Sequence, residues 1–119
     1  MLFRSVREQF DVPIGVFQAV QHKCADILLD IERATAGTYW AAMCLDADDS
    51  DRARATAIAK ASAGDAARRA AKDAEQIHGG IGYTWEHDLH LYIRRTYAAE
   101  SLLGGSEEHR SRLADLLAL

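Results

Sequence analysis

A helical spacing of apolar residues, sustained over about eight turns, constrains this chain more than any other feature. The spacing begins at Phe17 and continues to the acidic stretch DADDSD at 46–51. A period near 3.6 residues places these side chains on one side of an α-helix. The pattern therefore predicts one long amphipathic helix, whose periodic positions are Val20, Cys24, Ile27, Leu28, Ile31, Ala34, Thr38, Ala41, Ala42 and Leu45.

A second long helix follows, and alanine dominates it. Ser50 or Asp51 can cap its start, because a short side-chain oxygen accepts a hydrogen bond from a free N–H of the first turn. The helical pattern continues to about Ile77. Its small residues allow close helix packing, which suits the centre of a bundle or a subunit contact.

Two shorter helices complete the pattern. The first is predicted from about Asp88 to Leu102, where Gly104 and Gly105 stop it. Ser106 is expected to cap the last helix, which ends in LADLLAL.

The first fifteen residues are predicted to form the end of a helix and a break. Met1 to Phe10 has the character of a helix end, and Asp11 to Gly15 contains Pro13, the only proline. No alternating β pattern is present. We therefore predict an all-α chain, an antiparallel four-helix bundle forming one domain over residues 1–119.

Composition excludes several classes of function. A net charge of −4 and a pI near 5.7 offer no electrostatic basis for nucleic-acid binding. No apolar run approaches the roughly 20 residues of a membrane span. Charges at Arg4, Arg7, Glu8 and Asp11 interrupt any signal-peptide pattern. We expect a cytoplasmic protein without a membrane partner.

The stretch from Gln76 to Arg95 concentrates glycines and aromatic residues. Gly79, Gly80 and Gly82 permit backbone conformations and close approaches that a Cβ would oppose. We expect an irregular turn over Gln76 to Gly82. The turn either lines a polar ligand with backbone N–H groups or is a helix stop followed by an aromatic plug.

Four motifs resemble the C-terminal helical domain of acyl-CoA dehydrogenases. They are REQF at 7–10, PIGVFQAVQH at 13–22, QIHGGIGYTWEHDLHLYIRR at 76–95 and AAESLLGGSEEHR at 98–110. Members of this family carry a helical N-terminal domain and a middle β domain ahead of it. The resemblance thus implies a fragment, a separately encoded domain or a truncated reading frame.

The resemblance also implies FAD contacts. Arg7, Gln9 and Phe10 match positions that contact the adenosine and pyrophosphate half of FAD, commonly that of a neighbouring subunit. Phe17 and Val20 match positions lining the same cofactor. The second matching stretch comprises Gln76, Ile77, Gly79 and Gly80. The isolated chain is expected not to retain FAD, because these contacts reach only part of the cofactor.

The family's catalytic base is absent from its matching position. In most relatives a Glu-Gly-Thr turn supplies the base, and Leu103, Gly104 and Gly105 match that turn. Glu100 lies one helical turn earlier, too far back along the axis to substitute. Glu107 would repel a pyrophosphate. We therefore predict no catalytic residue in this chain.

These departures resemble the base-lacking subunits of heteromeric acyl-CoA dehydrogenases. The resemblance implies a homo-oligomer or a partner acyl-CoA dehydrogenase subunit, acting on an acyl-CoA thioester in fatty-acid or sterol degradation. A non-catalytic assembly module is an alternative. A metal-binding bundle is another, through Glu86, His87 and His90, but His78 and His109 appear isolated in sequence, so we predict no metal site.

Overall fold

The computed structural model describes residues 3–119, which form five helices and a two-stranded hairpin. In chain order the regular elements are α1 (Phe3–Val6), β1 (Glu8–Gln9), β2 (Val12–Pro13), a 3-10 turn (Ile14–Val16), α2 (Gln18–Asp46), α3 (Arg52–His78), a second 3-10 turn (Gly79–Tyr83), α4 (Leu89–Ser101) and α5 (Ser106–Leu116).

Two long helices determine the shape of the chain. α2 has 29 residues and α3 has 27, and a short turn returns α3 along α2. At 1.5 Å per residue α2 alone spans about 43 Å. The chain is accordingly elongated, with extents of 56 × 27 × 26 Å.

α3 is the central helix, and α2, α4 and α5 each pack against it. Alanine makes this possible, because a methyl side chain lets neighbouring helix axes approach closely. The α2–α3 core consists of Ala41, Cys44, Ala55 and Ala59, with Trp40 packed against it. The prediction of an all-α, four-helix fold is confirmed.

Residues 3–10 differ from the sequence prediction, and Met1 and Leu2 of the predicted helix end lie outside the described residues. The helix expected to reach Phe10 ends at Val6, and β1 pairs with β2 in antiparallel register, Glu8 opposite Pro13 and Gln9 opposite Val12. Phe10 and Asp11 form the two-residue loop, with φ of 54° and 63°. A loop with both φ angles positive suits a tight hairpin. Proline also favours an extended residue before it.

The start of α3 also differs from the prediction. Asp51 occupies the N-cap position, but neither it nor Ser50 caps the helix through its side chain. Asp49 Oδ1 instead accepts a hydrogen bond from Asp51 N at 2.8 Å. The Asp51 carboxylate pairs with Arg54 at 2.6 Å.

The end of α3 and the start of α5 also differ from the sequence prediction by a few residues. Gln76 and Ile77 lie in the last turn of α3, so the irregular turn begins only at Gly79. Ser106 is the first residue of α5, and Gly105 takes the N-cap position. Within residues 3–119 no helix is long and apolar enough to cross a membrane.

Candidate functional site

One open cleft of about 240 Å³ brings together three separate parts of the chain. It lies where the hairpin and the start of α2 meet the end of α3. Its walls contain every predicted cofactor-contacting residue except Phe10, namely Arg7, Gln9, Phe17, Val20, Gln76, Ile77, Gly79 and Gly80, together with Ile14 and His78.

Backbone hydrogen bonds connect the hairpin side of the cleft to α2. Ile14 N donates to Arg7 O at 2.9 Å, and Phe17 N donates to Ile14 O at 3.2 Å. Val20 N then donates to Phe17 O at 3.0 Å. Successive bonds of this kind give Arg7, Phe17 and Val20 one defined arrangement.

The glycines at the other side of the cleft have different roles. Gly79 has φ of 63°, where a side chain is strained, and its N–H donates to Glu75 O. A Cβ built on Gly79 or Gly80 meets nothing within 4 Å. A Cβ on buried Gly82 would lie 3.0 Å from His78 Cβ. The first two glycines therefore leave backbone open to a ligand, whereas Gly82 permits internal packing.

Phe10 lies apart from the cleft that its predicted companions share. Its side chain is 87% exposed, and its ring meets that of Phe17 edge-on at 6.3 Å. Arg7 is exposed and forms no ion pair within residues 3–119. Its guanidinium thus has donors available for an anionic group.

The sequence suggested that His78 is isolated, but in the structure it contacts two other rings. Its ring stacks on Phe3 with centroids 4.4 Å apart and lies 4.7 Å from the ring of His87. Sequence spacing gave no sign of this cluster, because α1 and the loop after the second 3-10 turn meet only in the folded chain. His87 Nδ1 accepts a hydrogen bond from Leu89 N at 3.1 Å.

The histidines serve local packing and hydrogen bonding. His90 Nδ1 lies 2.9 Å from His87 O, and the His90 ring packs edge-on against Trp85. Among residues 3–119 no three His, Cys, Asp or Glu side chains are grouped as metal ligands.

The turn between α4 and α5 contains the position matched to the family's base. Leu103 has φ of 61° and an 85% exposed side chain, and its carbonyl lies 2.9 Å from His109 Nε2. Gly104 follows with φ of 94°. An aliphatic side chain neither donates nor accepts a proton, so this position has no acid–base group.

Glu100 caps α5 across this turn. Its Oε1 accepts hydrogen bonds from Ser106 N at 3.1 Å and from the Ser106 hydroxyl at 3.4 Å. Lys60 Nζ donates to the Glu100 backbone carbonyl at 2.8 Å. The Ser106 N–H is the largest of several influences that hold the pKa of Glu100 below its ordinary value. Glu100 is consequently a weaker base than a free glutamate.

Comparison with known proteins identifies the class of protein to which this fold belongs. The sequence family described as "Acyl-CoA dehydrogenase, C-terminal domain" matches residues 3–118. The chain therefore belongs to the acyl-CoA dehydrogenase family.

Mycobacterial proteins are among its similar relatives. The acyl-CoA dehydrogenase FadE34 of Mycobacterium tuberculosis is 45% identical over 96% of this chain, which covers 16% of that protein. The acyl-CoA dehydrogenase IpdE2 of Mycolicibacterium smegmatis is 37% identical over 90% of this chain, which covers 32% of it. The chain thus spans a third or less of these relatives' lengths.

Several solved structures have closely similar backbones. A steroid acyl-CoA dehydrogenase variant, Tcur3481-Tcur3483, superposes with a TM-score of 0.93 at 32% identity, over 98% of this chain and 32% of that one. The ChsE4-ChsE5 complex of Mycobacterium tuberculosis gives 0.91 at 32% identity with the same coverage. An FAD-dependent dehydrogenase gives 0.90 at 29% identity, over 99% and 32%.

Proposed function

We propose that this chain is the C-terminal domain of an FAD-dependent acyl-CoA dehydrogenase assembly, in which it completes a flavin site without supplying the catalytic base. The observation that carries the proposal is the cleft shared by Arg7, Gln9, Gln76, Gly79 and Gly80. In the family, an N-terminal helical domain and a middle β domain would form the rest of that site.

The cleft fits the adenosine and pyrophosphate half of FAD. Arg7 offers a planar fork of N–H donors to phosphate oxygens. The Gln9 and Gln76 amides add neutral donors and acceptors. Gly79 and Gly80 expose backbone at a place where their missing side chains meet no protein atom. When bound, the flavin would supply the hydride acceptor.

None of the predicted cofactor contacts of this chain reaches the flavin ring system. The predicted contacts reach only one half of the cofactor, and the cleft is open to solvent. FAD retention consequently requires the remaining domains, and the isolated chain is expected to be purified without flavin.

No residue at the α4–α5 turn can abstract the α-proton of an acyl-CoA thioester. Leu103 has no titratable group, and the Glu100 carboxylate accepts two hydrogen bonds from Ser106. General-base catalysis raises the reaction rate by about 10²–10⁴-fold, so a site without a base would have very little dehydrogenase activity. We assign the base to another subunit.

Similar proteins support the choice of a heteromeric assembly. The ChsE4-ChsE5 structure is a complex of two named components, and Tcur3481-Tcur3483 is a steroid acyl-CoA dehydrogenase. We extend this to a partner acyl-CoA dehydrogenase subunit and to a bulky acyl-CoA thioester substrate.

The test uses the assembly that contains this domain together with the family's other two domains. In Gly80→Ala the new methyl meets no protein atom of this chain within 4 Å, so a loss of flavin would not come from a clash inside this domain. We expect the affinity of the assembly for flavin, measured by absorbance, to fall about tenfold. An overpacking cost of about 1–3 kcal/mol has an effect of this size. Gly37→Ala, in ordinary contact with Ala59, is the matched control.

A second arm locates the base. Turnover should survive Glu100→Gln and disappear when the partner's base is removed. The opposite pattern would make Glu100 the base and refute the proposal. An assembly that forms with normal mass but contains no flavin would instead favour a non-catalytic assembly module.

A further inference from the structure

A cationic cleft lies between α3 and α5, and the proposed flavin site does not use it. The cleft measures about 300 Å³ and is lined by Asp65, Arg68, Arg69, Lys72 and Arg110. It shares no residue with the cleft that contains Arg7 and Gly79. Any ligand bound here would therefore occupy a separate site.

The charges of this cleft oppose those of the chain as a whole. Four cationic side chains line the cleft with Asp65, and two carboxylates outside the lining, Asp30 and Glu100, pair with its arginines, which leaves a local charge of 4 − 3 = +1. The whole chain carries −4. Like charges held this close repel one another, and an anion placed among them would relieve that repulsion.

Ion pairs hold the arginines while leaving donors exposed. Asp65 pairs with Arg68 at 3.1 Å and also with Arg110 from α5. Arg68 also lies 3.8 Å from Glu100, and Arg69 pairs with Asp30 at 3.1 Å. Each guanidinium has five N–H donors and remains about half exposed. Lys72 forms no ion pair among residues 3–119. Donors that are not used in ion pairs are thus present on several residues that line the same cleft.

We propose that this α3–α5 cleft binds a compact phosphate-bearing anion. Arginine forks match the oxygens of a phosphate group, and paired arginines lose little freedom on binding. The volume lies at the lower limit of small-molecule sites, which suits one or two phosphate groups better than an extended acidic peptide. A free phosphate anion and the phosphate of a nucleotide present the same chemistry at the cleft, and the experiment distinguishes these two sources.

The experiment is calorimetric titration of the full chain with inorganic diphosphate, ADP and adenosine. Diphosphate and ADP are expected to bind and adenosine is not. If ADP binds much more tightly than diphosphate, the phosphate is that of a nucleotide, and equal affinities indicate the free anion. Absence of heat for both anions at about 5 mM, far above a micromolar-range Kd, would overturn the proposal.

Lys72→Gln is the informative variant, because removing an unpaired lysine breaks no ion pair within the described chain. We expect it to weaken diphosphate binding about fivefold, the Coulomb attraction of unit charges in contact in water. Arg95→Gln on α4 removes the same charge from an exposed position outside the cleft and should change affinity little.

Two results would contradict the site. Equal weakening by Lys72→Gln and Arg95→Gln would show only a response to net charge. Tighter binding of a glutamate peptide than of diphosphate at equal charge would identify an acidic protein segment as the ligand class instead. Circular dichroism of both variants establishes that the fold is retained.

Discussion

At the scale of single residues, Glu100 shows how a carboxylate near a catalytic position can have a structural role. Its oxygen accepts the Ser106 N–H and hydroxyl, and Ser106 is only 1% exposed. The first-turn N–H groups of a helix need such acceptors. The carboxylate therefore stabilises the start of α5, which agrees with its lowered pKa.

Glu100 should make stability depend on pH. Because its pKa is lowered in the folded chain, its contribution is present above the ordinary glutamate pKa and is lost as pH falls through the lowered value. We expect Glu100→Gln to lower Tm near neutral pH, with the gap to wild type closing in acid. Thermal melts across pH measure this.

Glu32→Gln is the control for that series, since Glu32 is exposed on α2 and forms no ion pair within residues 3–119. Its Tm should follow wild type throughout. A gap for Glu100→Gln that stays constant at every pH would show that the ionised carboxylate is not what matters.

At the scale of helices, the contact of α3 with α5 depends on one glycine. A Cβ at Gly64 would clash with the Ser106 hydroxyl and lie 3.3 Å from Glu100 Cγ. Both neighbours belong to the cap of α5, so neither can move without breaking it. The packing of α5 on α3 therefore requires a residue without a side chain at position 64.

Gly64→Ala is expected to destabilise the chain by about 1–3 kcal/mol through overpacking, although alanine favours helices. Urea unfolding followed by circular dichroism measures the change. The matched substitution Gly37→Ala places its Cβ 3.6 Å from Ala59 Cα, an ordinary contact. It should be neutral or stabilising by up to about 1 kcal/mol. Equal effects of the two substitutions would refute the packing argument.

At the scale of the whole molecule, the chain is too extended to bury its own apolar surface. Its radius of gyration is 17.3 Å, against about 13–14 Å for a compact domain of this length. On α2, the side chains of Leu29 and Met43 are 64% and 69% exposed. These positions are fourteen residues apart and lie on nearly the same side of the helix.

We predict that the chain self-associates through this side of α2, because large exposed apolar patches are uncommon in monomers. Sedimentation at micromolar concentration should give a mass above 13.1 kDa. Leu29→Gln should reduce association, while Leu119→Gln, the same change at an exposed terminal residue, should leave it unaltered. A strict monomer in wild type would contradict the prediction.

The amino-acid sequence alone determined the positions of the main helices, because helix formation depends on residues close together along the chain. Apolar periodicity predicted α2, α3 and α4 to within a few residues, because helix hydrogen bonds join residues four apart. Glycines marked the ends of α3 and α4 for the same local reason. The resemblance also selected Arg7, Gln9, Gln76 and Gly79, but no spacing along the chain requires them to share one cleft.

Only the tertiary structure decided how distant segments meet. The β1–β2 hairpin replaced the predicted helix end because cross-strand pairing competes with helix formation. The contacts of Phe3 with His78 and of Arg110 with Asp65 join residues 75 and 45 positions apart. Such contacts depend on the way helices cross and on where each turn releases the chain, and no local pattern contains that information.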